Sequence, residues 1–137
     1  MNTKRYLIAA LALSVFTIAF DFLLHGMLLQ DAYKSTAALW RPEAEMQSYM
    51  GLMFLTQIVF ASGFAFIFTR NYEGKGVGEG VRYGLYLGLL LAVIEIQKLC
   101  YMPIPLSLSL TWAISVVVWG LLAGIILSLV YKEEAPA

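Results

Sequence analysis

Apolar residues in this chain gather into four long runs, and most charged residues collect in the short segments between them. The first run, Tyr6 to Leu29, is interrupted by Asp21 and His25. It exceeds the hydrophobic stretch of a signal peptide, and Ala10–Leu11–Ala12 lies too early for a cleavage motif. The pattern therefore predicts an uncleaved transmembrane helix over 6–29. Gln30 to Trp40 is the longest non-membrane segment and holds Asp31, Tyr33 and Lys34. Arg41–Pro42–Glu43–Ala44–Glu45 reads as a helix start, because proline suits the first helical position and early acids complement the helix dipole. A second helix is expected over 43–69, with Trp40 and Tyr49 where interfacial aromatics belong.

Arg70 to Glu79, RNYEGKGVGE, reads as a tight glycine-rich turn, too short for a domain and too polar for a membrane core. The third helix is expected over 80–102 and is stopped by Pro103–Ile104–Pro105, since proline disfavours helical geometry in the residue before it. A fourth follows over 106–131, with Trp112 near one end and Tyr131 near the other. KEEAPA is expected to be a short, mobile tail.

Composition changes the picture in one respect: it makes the bilayer the solvent. Of 137 residues, 61% are hydrophobic and 13% charged, with a mean hydropathy of +0.77. Soluble domains run near ~45–50% apolar and about 25% charged, so this excess cannot fit inside one soluble core. Nine basic and nine acidic residues cancel, which removes the argument for nucleic acid as a partner. The single cysteine, Cys100, excludes an internal disulfide framework and any thiolate cluster, and reads as a small apolar filler.

Loop charge gives the orientation. Lys4, Arg5, Arg70, Lys75, Arg82 and Lys132 fall on one side, against Lys34 and Arg41 on the other. The positive-inside rule then puts both termini in the cytoplasm. Long helices and short loops predict an all-α, polytopic membrane protein, one domain over 1–137, built as an up-down-up-down four-helix bundle.

Two small-residue seams mark how the helices meet. Gly76, Gly80, Gly84, Gly88 and Ala92 recur every four residues on the third helix, and Gly120, Gly124 and Ser128 on the fourth. In lipid, small residues let backbones approach and exchange dispersion contacts. The pattern leaves open whether the partner helix belongs to this chain or another.

The candidate site is a polar layer. Glu95, Gln97 and Lys98 lie within an otherwise apolar span, where ionisable groups are costly and normally face partners. By helical rise, His25 and Asp21 lie roughly 6 and 12 Å below Leu29, Lys98 and Glu95 roughly 6 and 10 Å below Met102. Gln57 lies roughly 10 Å below Met50 and Thr111 roughly 7 Å below Leu106. Asp21 and His25 share a face with Thr17 and Ser14. Glu95 points about 20° from Gly88, hence into the bundle, and Lys98 about 60° further round, from where it could also snorkel. Gln57 shares a stripe with Ala61 and Ala65.

Three readings of Asp21, His25, Gln57, Glu95, Lys98 and Thr111 follow. One is a neutral structural network that fixes helix register, pairing Glu95 with Lys98 and Asp21 with His25 or Lys98. Another is proton or ion handling by the two acids and His25. The third is a divalent metal held by Asp21, His25 and Glu95. A single histidine argues against bis-histidine haem ligation, whereas His25 with an acid, Tyr101 and Trp112 would suit a quinone. No cofactor is predicted outright. No nucleophile–base pair, phosphate loop or zinc spacing occurs, so an enzyme is the weakest class.

The run DFLLHG…LWRPEAEM, the turn NYEGKGVGEG and the PIP hairpin together resemble small four-helix bacterial inner-membrane proteins of uncharacterised function. The resemblance implies a fold and an inner-membrane location and carries no catalytic role. The expected function is a non-enzymatic accessory or assembly subunit, packing through its seams against itself or a larger complex. The alternative is a small transporter or proton relay, which requires a polar path from the layer to the cytoplasm through Thr17, Ser14, Ser62 and Ser115.

Overall fold

Asn2 starts the first helix: its side chain accepts from the Arg5 N–H at 3.0 Å, satisfying one of the amides that a helix start leaves without a partner. In this computed structural model, which describes residues 1–132, α1 runs Thr3–Leu23. It widens into one π turn, Leu24–Leu28, where the Leu29 N–H reaches back five residues to the Leu24 carbonyl at 2.9 Å. α2 (Gln30–Ser35) and a tight turn (Ala37–Leu39) cross the end of the bundle. α3 (Glu43–Ser48), α4 (Met50–Arg70), α5 (Val77–Gln97) and α6 (Leu106–Val130) follow. No strand occurs among the described residues, and the expected mobile tail lies outside them from residue 133 onward. Among the described residues four helices are long and apolar enough to cross a membrane: Thr3–Leu28, Met50–Arg70, Val77–Cys100 and Leu106–Val130.

Several boundaries differ from expectation for local reasons. The helix expected over 43–69 is broken at Tyr49. There the Ser48 hydroxyl donates to the Glu45 carbonyl at 2.7 Å, and the Tyr49 N–H turns to Met46 at 3.0 Å instead. Pro42 sits just before the helix rather than at its first position, extended at φ −53, ψ 144, and its carbonyl accepts from Glu45 and Met46. The third helix begins at Val77 and its α-helical part ends at Gln97, followed by a tighter turn, Lys98–Cys100. A regular helix continued to Pro103 would drive the proline ring into the Leu99 carbonyl.

The early start of α5 has its cause in Glu79, which is almost fully buried. Its carboxylate accepts from the Glu73 N–H at 2.7 Å and the Lys75 N–H at 2.8 Å, so one side chain closes the whole connection from α4. Gly74 and Gly76 let the chain turn there, at φ 73 and φ 70. Outside this knot, the Lys75 ammonium and then Arg82 hold the exposed Glu73 carboxyl below its usual range. That ion pairing is present above the unfolded-state pKa and is lost as pH falls through the lower folded value. Glu79→Ala is expected to cost about 2–3 kcal/mol, because two charge-assisted hydrogen bonds disappear and two loop amides lose their acceptor. Thermal unfolding in detergent checks this, and an unchanged midpoint would show that the loop closes without Glu79.

α5 and α6 form the closest pair. Gly80 faces Gly124, Gly84 faces Gly120 and Gly88 faces Val117, so the two helices are antiparallel. A Cβ on Gly80 or Gly84 would run into the facing carbonyl, and one on Gly88 would stand 3.0 Å from the Val117 Cα. Ala92 and Ser128 are buried at the ends of the contact. The partner that the seams left open is thus the other half of the same chain. Gly76 is the exception: it precedes the helix, a Cβ there would meet nothing, and it serves the turn. The four-residue spacing continues past the point where the helix itself stops.

Small residues repeat this logic elsewhere. Ala9 on α1, Ala61 and Ala65 on α4 and Ala123 on α6 are fully buried, and Phe64, Phe68 and Trp119 fill the space between them. The Asn2 N–H donates to the Tyr131 hydroxyl at 3.1 Å, and Tyr131 packs on Tyr72 at 5.1 Å. The N-terminus, the α4–α5 connection and the end of α6 therefore meet at one end of the bundle, the terminal end. At that end α4 and α5 are tied together: Tyr83 donates to the Phe64 carbonyl at 2.6 Å and packs on Phe64 and Phe68. Toward the other, distal end, α4 is exposed from Met50 to Phe60 except at Gln57. The core fills the terminal half and leaves the distal half open inside.

Candidate functional site: a polar chamber in the distal half of the bundle

A chamber of about 430 Å³ occupies that space, with walls from α1, α4, α5 and α6. α1 contributes Asp21 and, from its π turn, His25; α4 contributes Gln57; α5 and the turn after it contribute Glu95 and Lys98. Five of the six polar-layer residues thus line one cavity. Thr111 does not: it is half-buried, donates to the Ser107 carbonyl at 2.8 Å, and lines a separate small pocket with Leu29, Leu108 and Pro105. Its depth agrees with the polar layer, but at 100° per residue it lies about 180° round α6 from Gly120, on the side away from the glycine seam. Gln97 is exposed, outside the chamber.

The groups fall into three sets. Gln57 donates to one Asp21 oxygen at 2.7 Å, tying α4 to α1. Lys98 pairs with Glu95 at 2.5 Å, one turn apart, and its ammonium lies 5.0 Å from the centre of the Trp112 ring. The Ser109 hydroxyl donates to the Glu95 carbonyl at 3.1 Å, tying α6 to the same point. His25 Nδ1 lies 2.5 Å from the Tyr33 hydroxyl, which also accepts from Trp112 Nε1 at 3.0 Å. Burial pushes the Tyr33 hydroxyl pKa upward, so it keeps its proton and can donate to His25. Glu95 and Lys98 thus form their own pair, while Asp21 is bonded through Gln57.

Tyr33 was not singled out by its sequence, since a tyrosine in a polar connection reads as an interfacial anchor. In the fold it belongs to an aromatic lid. Tyr33 packs edge-on against Trp40 at 5.5 Å, and Trp40 lies 6.1 Å from Trp112. Trp40 is held by its own Nε1 donating to Thr36 at 2.9 Å. His25 and Trp112 face both the chamber and a larger open vestibule of about 1030 Å³, bordered by Trp40, Arg41, Met46 and Met102. The way in from the distal end passes these rings.

The opposite wall is closed. Trp119 is 3% exposed, donates to Thr17 at 3.2 Å and packs on Phe60 and Phe64 at 5.2 and 4.9 Å. Two of the four hydroxyls expected to form a path, Ser14 and Thr17, are engaged within the protein. Ser14 donates to the Ala10 carbonyl at 2.8 Å, and Thr17 is taken by Trp119. Tyr101, which the quinone reading used, is 66% exposed and does not line the chamber. Asp21, His25 and Glu95 line one cavity without reaching ligand spacing: among the described residues no group of three His, Cys, Asp or Glu side chains is placed to hold a metal ion.

One polar atom is left over. Gln57 Oε1 is buried and has no hydrogen-bond partner among the described residues. Buried acceptors normally have one, and leaving one unmade costs about 1–3 kcal/mol. Comparison with protein-family models, with curated proteins and with solved structures finds no match. The chemistry of the chamber is therefore read from its own residues.

Proposed function

We propose that this chain is a non-enzymatic integral protein of the inner membrane whose working part is the distal chamber, a binding site for a small ligand. In this reading the helices run up-down-up-down with the terminal end in the cytoplasm, where the excess of Lys and Arg lies. The chamber then opens toward the outside, through the aromatic lid. The observation that carries the reading is the unpartnered Gln57 Oε1 beside a cavity large enough for a small molecule. A purely structural network would satisfy that oxygen within the bundle.

Two other readings have less support. A proton relay needs a polar route through the terminal half, and Trp119, Phe64 and Phe68 fill that half instead. An accessory subunit docking through its glycine seams needs those seams free, and α5 and α6 fill each other's. A partner in the membrane plane would have to use another face.

Native mass spectrometry of protein extracted gently from its own membranes tests the proposal. The expected result is a small non-protein mass retained by the wild type and absent from Ser115→Trp, which places a large ring in the chamber wall. A wild-type protein that never retains a small mass, but travels with other chains, would overturn the binding reading in favour of the subunit.

A further inference from the structure

Resting on the chamber reading, we infer that the ligand is a protonated amine carrying an apolar or aromatic substituent. The nitrogen donors on the chamber side chains of Gln57, Lys98, Trp112 and Trp119 already bond Asp21, Glu95, Tyr33 and Thr17. The buried side-chain polar atom left without a partner among the described residues is an acceptor. Gln57 Oε1 has no partner, and among the described residues no hydrogen bond reaches the second oxygen of Asp21. A ligand completing this set must donate hydrogen bonds. Charge gives the same direction: the lining sets two acidic side chains, Asp21 and Glu95, against one lysine, Lys98, a formal excess of one negative charge. An anion would add to that charge, and a neutral donor would leave it unpaired in a low-dielectric site.

The remaining wall supplies what an organic cation uses beyond hydrogen bonds. Phe20, Phe60 and Trp119 line the chamber near the Asp21 side, and their ring faces attract cations while covering apolar substituents. Lys98 already lies over Trp112 in this manner. The ammonium of the ligand belongs at Asp21 and Gln57, across from Lys98, with its substituent among the phenylalanine and tryptophan rings.

The test is binding of benzylammonium, benzyl alcohol and benzoate to the purified full chain in detergent. These share one ring and differ in charge. The readouts are isothermal calorimetry and tryptophan fluorescence, since Trp112 and Trp119 line the chamber. Benzylammonium is expected to bind at least roughly tenfold tighter than benzyl alcohol, with Asp21→Asn losing most of that difference. Asparagine retains an oxygen for Gln57, and circular dichroism verifies the fold of that variant. A second variant, Ser115→Trp, should block benzylammonium while leaving Asp21 in place.

Equal or tighter binding of benzyl alcohol or benzoate would overturn the cation assignment and leave the chamber reading standing. So would benzylammonium binding that is indifferent to Asp21→Asn. If none of the three binds, the reactivity of a cysteine at position 115 toward a water-soluble maleimide separates the cases. A reactive cysteine refutes only the ligand class, and an unreactive one refutes the chamber as well.

Discussion

Replacing Gly84 with leucine is expected to abolish the native bundle. The Gly84 Cα lies against the Gly120 backbone, and a Cβ there would collide with the Gly120 carbonyl and stand 2.7 Å from its carbon. Backbone cannot move aside as a side-chain tip can, so the two helices would have to separate along their length. Separation forfeits the contacts at Gly80–Gly124 and Gly88–Val117 as well. In lipid no hydrophobic force compensates, because helix association rests on close packing itself. The expected loss is about 3 kcal/mol or more, at or beyond the upper end of ordinary overpacking. Gly63→Leu is the control, since a Cβ on Gly63 meets nothing within 4 Å and the site is exposed. Unfolding by SDS titration in mixed micelles should separate the two variants clearly; matching midpoints would mean that the α5–α6 contact is not what holds the bundle.

Trp119→Ala is expected to cost about 3–5 kcal/mol, the range for removing a large buried ring. Trp119 is the point where the core of the terminal half meets the floor of the chamber. It contacts Phe60 and Phe64 on α4 and gives its N–H to Thr17 on α1. Removing it deletes packing against two helices and joins the chamber to the space the ring occupied. Trp119→Phe keeps much of the ring and loses only the bond to Thr17, so about 1 kcal/mol is expected. The same SDS titration measures both. A Phe variant as damaged as the Ala variant would move the weight of the interaction from packing to the hydrogen bond.

Much of this architecture is written in the sequence because lipid imposes simple rules. The four spans follow from uninterrupted apolar length, and the seam from Gly80 to Ala92 follows from a spacing that matches the helix repeat. Pattern and structure part where local hydrogen bonding overrides periodicity. Ser48 diverts one carbonyl and breaks a helix at Tyr49; Glu79 folds back and starts α5 early, leaving Gly76 in a turn. For the site, depth was legible and facing only partly so. Asp21, Gln57 and Glu95 were aimed correctly because small residues on their own helices mark the inner face. Thr111 shares their depth but lies about 180° round α6 from Gly120, so the seam of its own helix already marks it as facing away. Tyr33, Trp40 and the aromatic lid depend on how α2 folds over the bundle end, a long-range contact with no periodicity to announce it.

A distal chamber open to water above a closed terminal core makes opposite demands on cysteines placed in the two halves. In a Cys100→Ser background, which removes the exposed native thiol, cysteines are placed singly at Ser115, in the chamber wall, and at Ala61, in the core. Intact cells are then treated with a membrane-impermeant maleimide. The cysteine at 115 should be labelled and the cysteine at 61 should remain unlabelled. A cysteine at 115 that stays unreactive in intact cells and in permeabilised membranes alike would make the polar layer a dry structural network, and labelling at 61 would reveal a path through the bundle that contradicts the closed floor at Trp119.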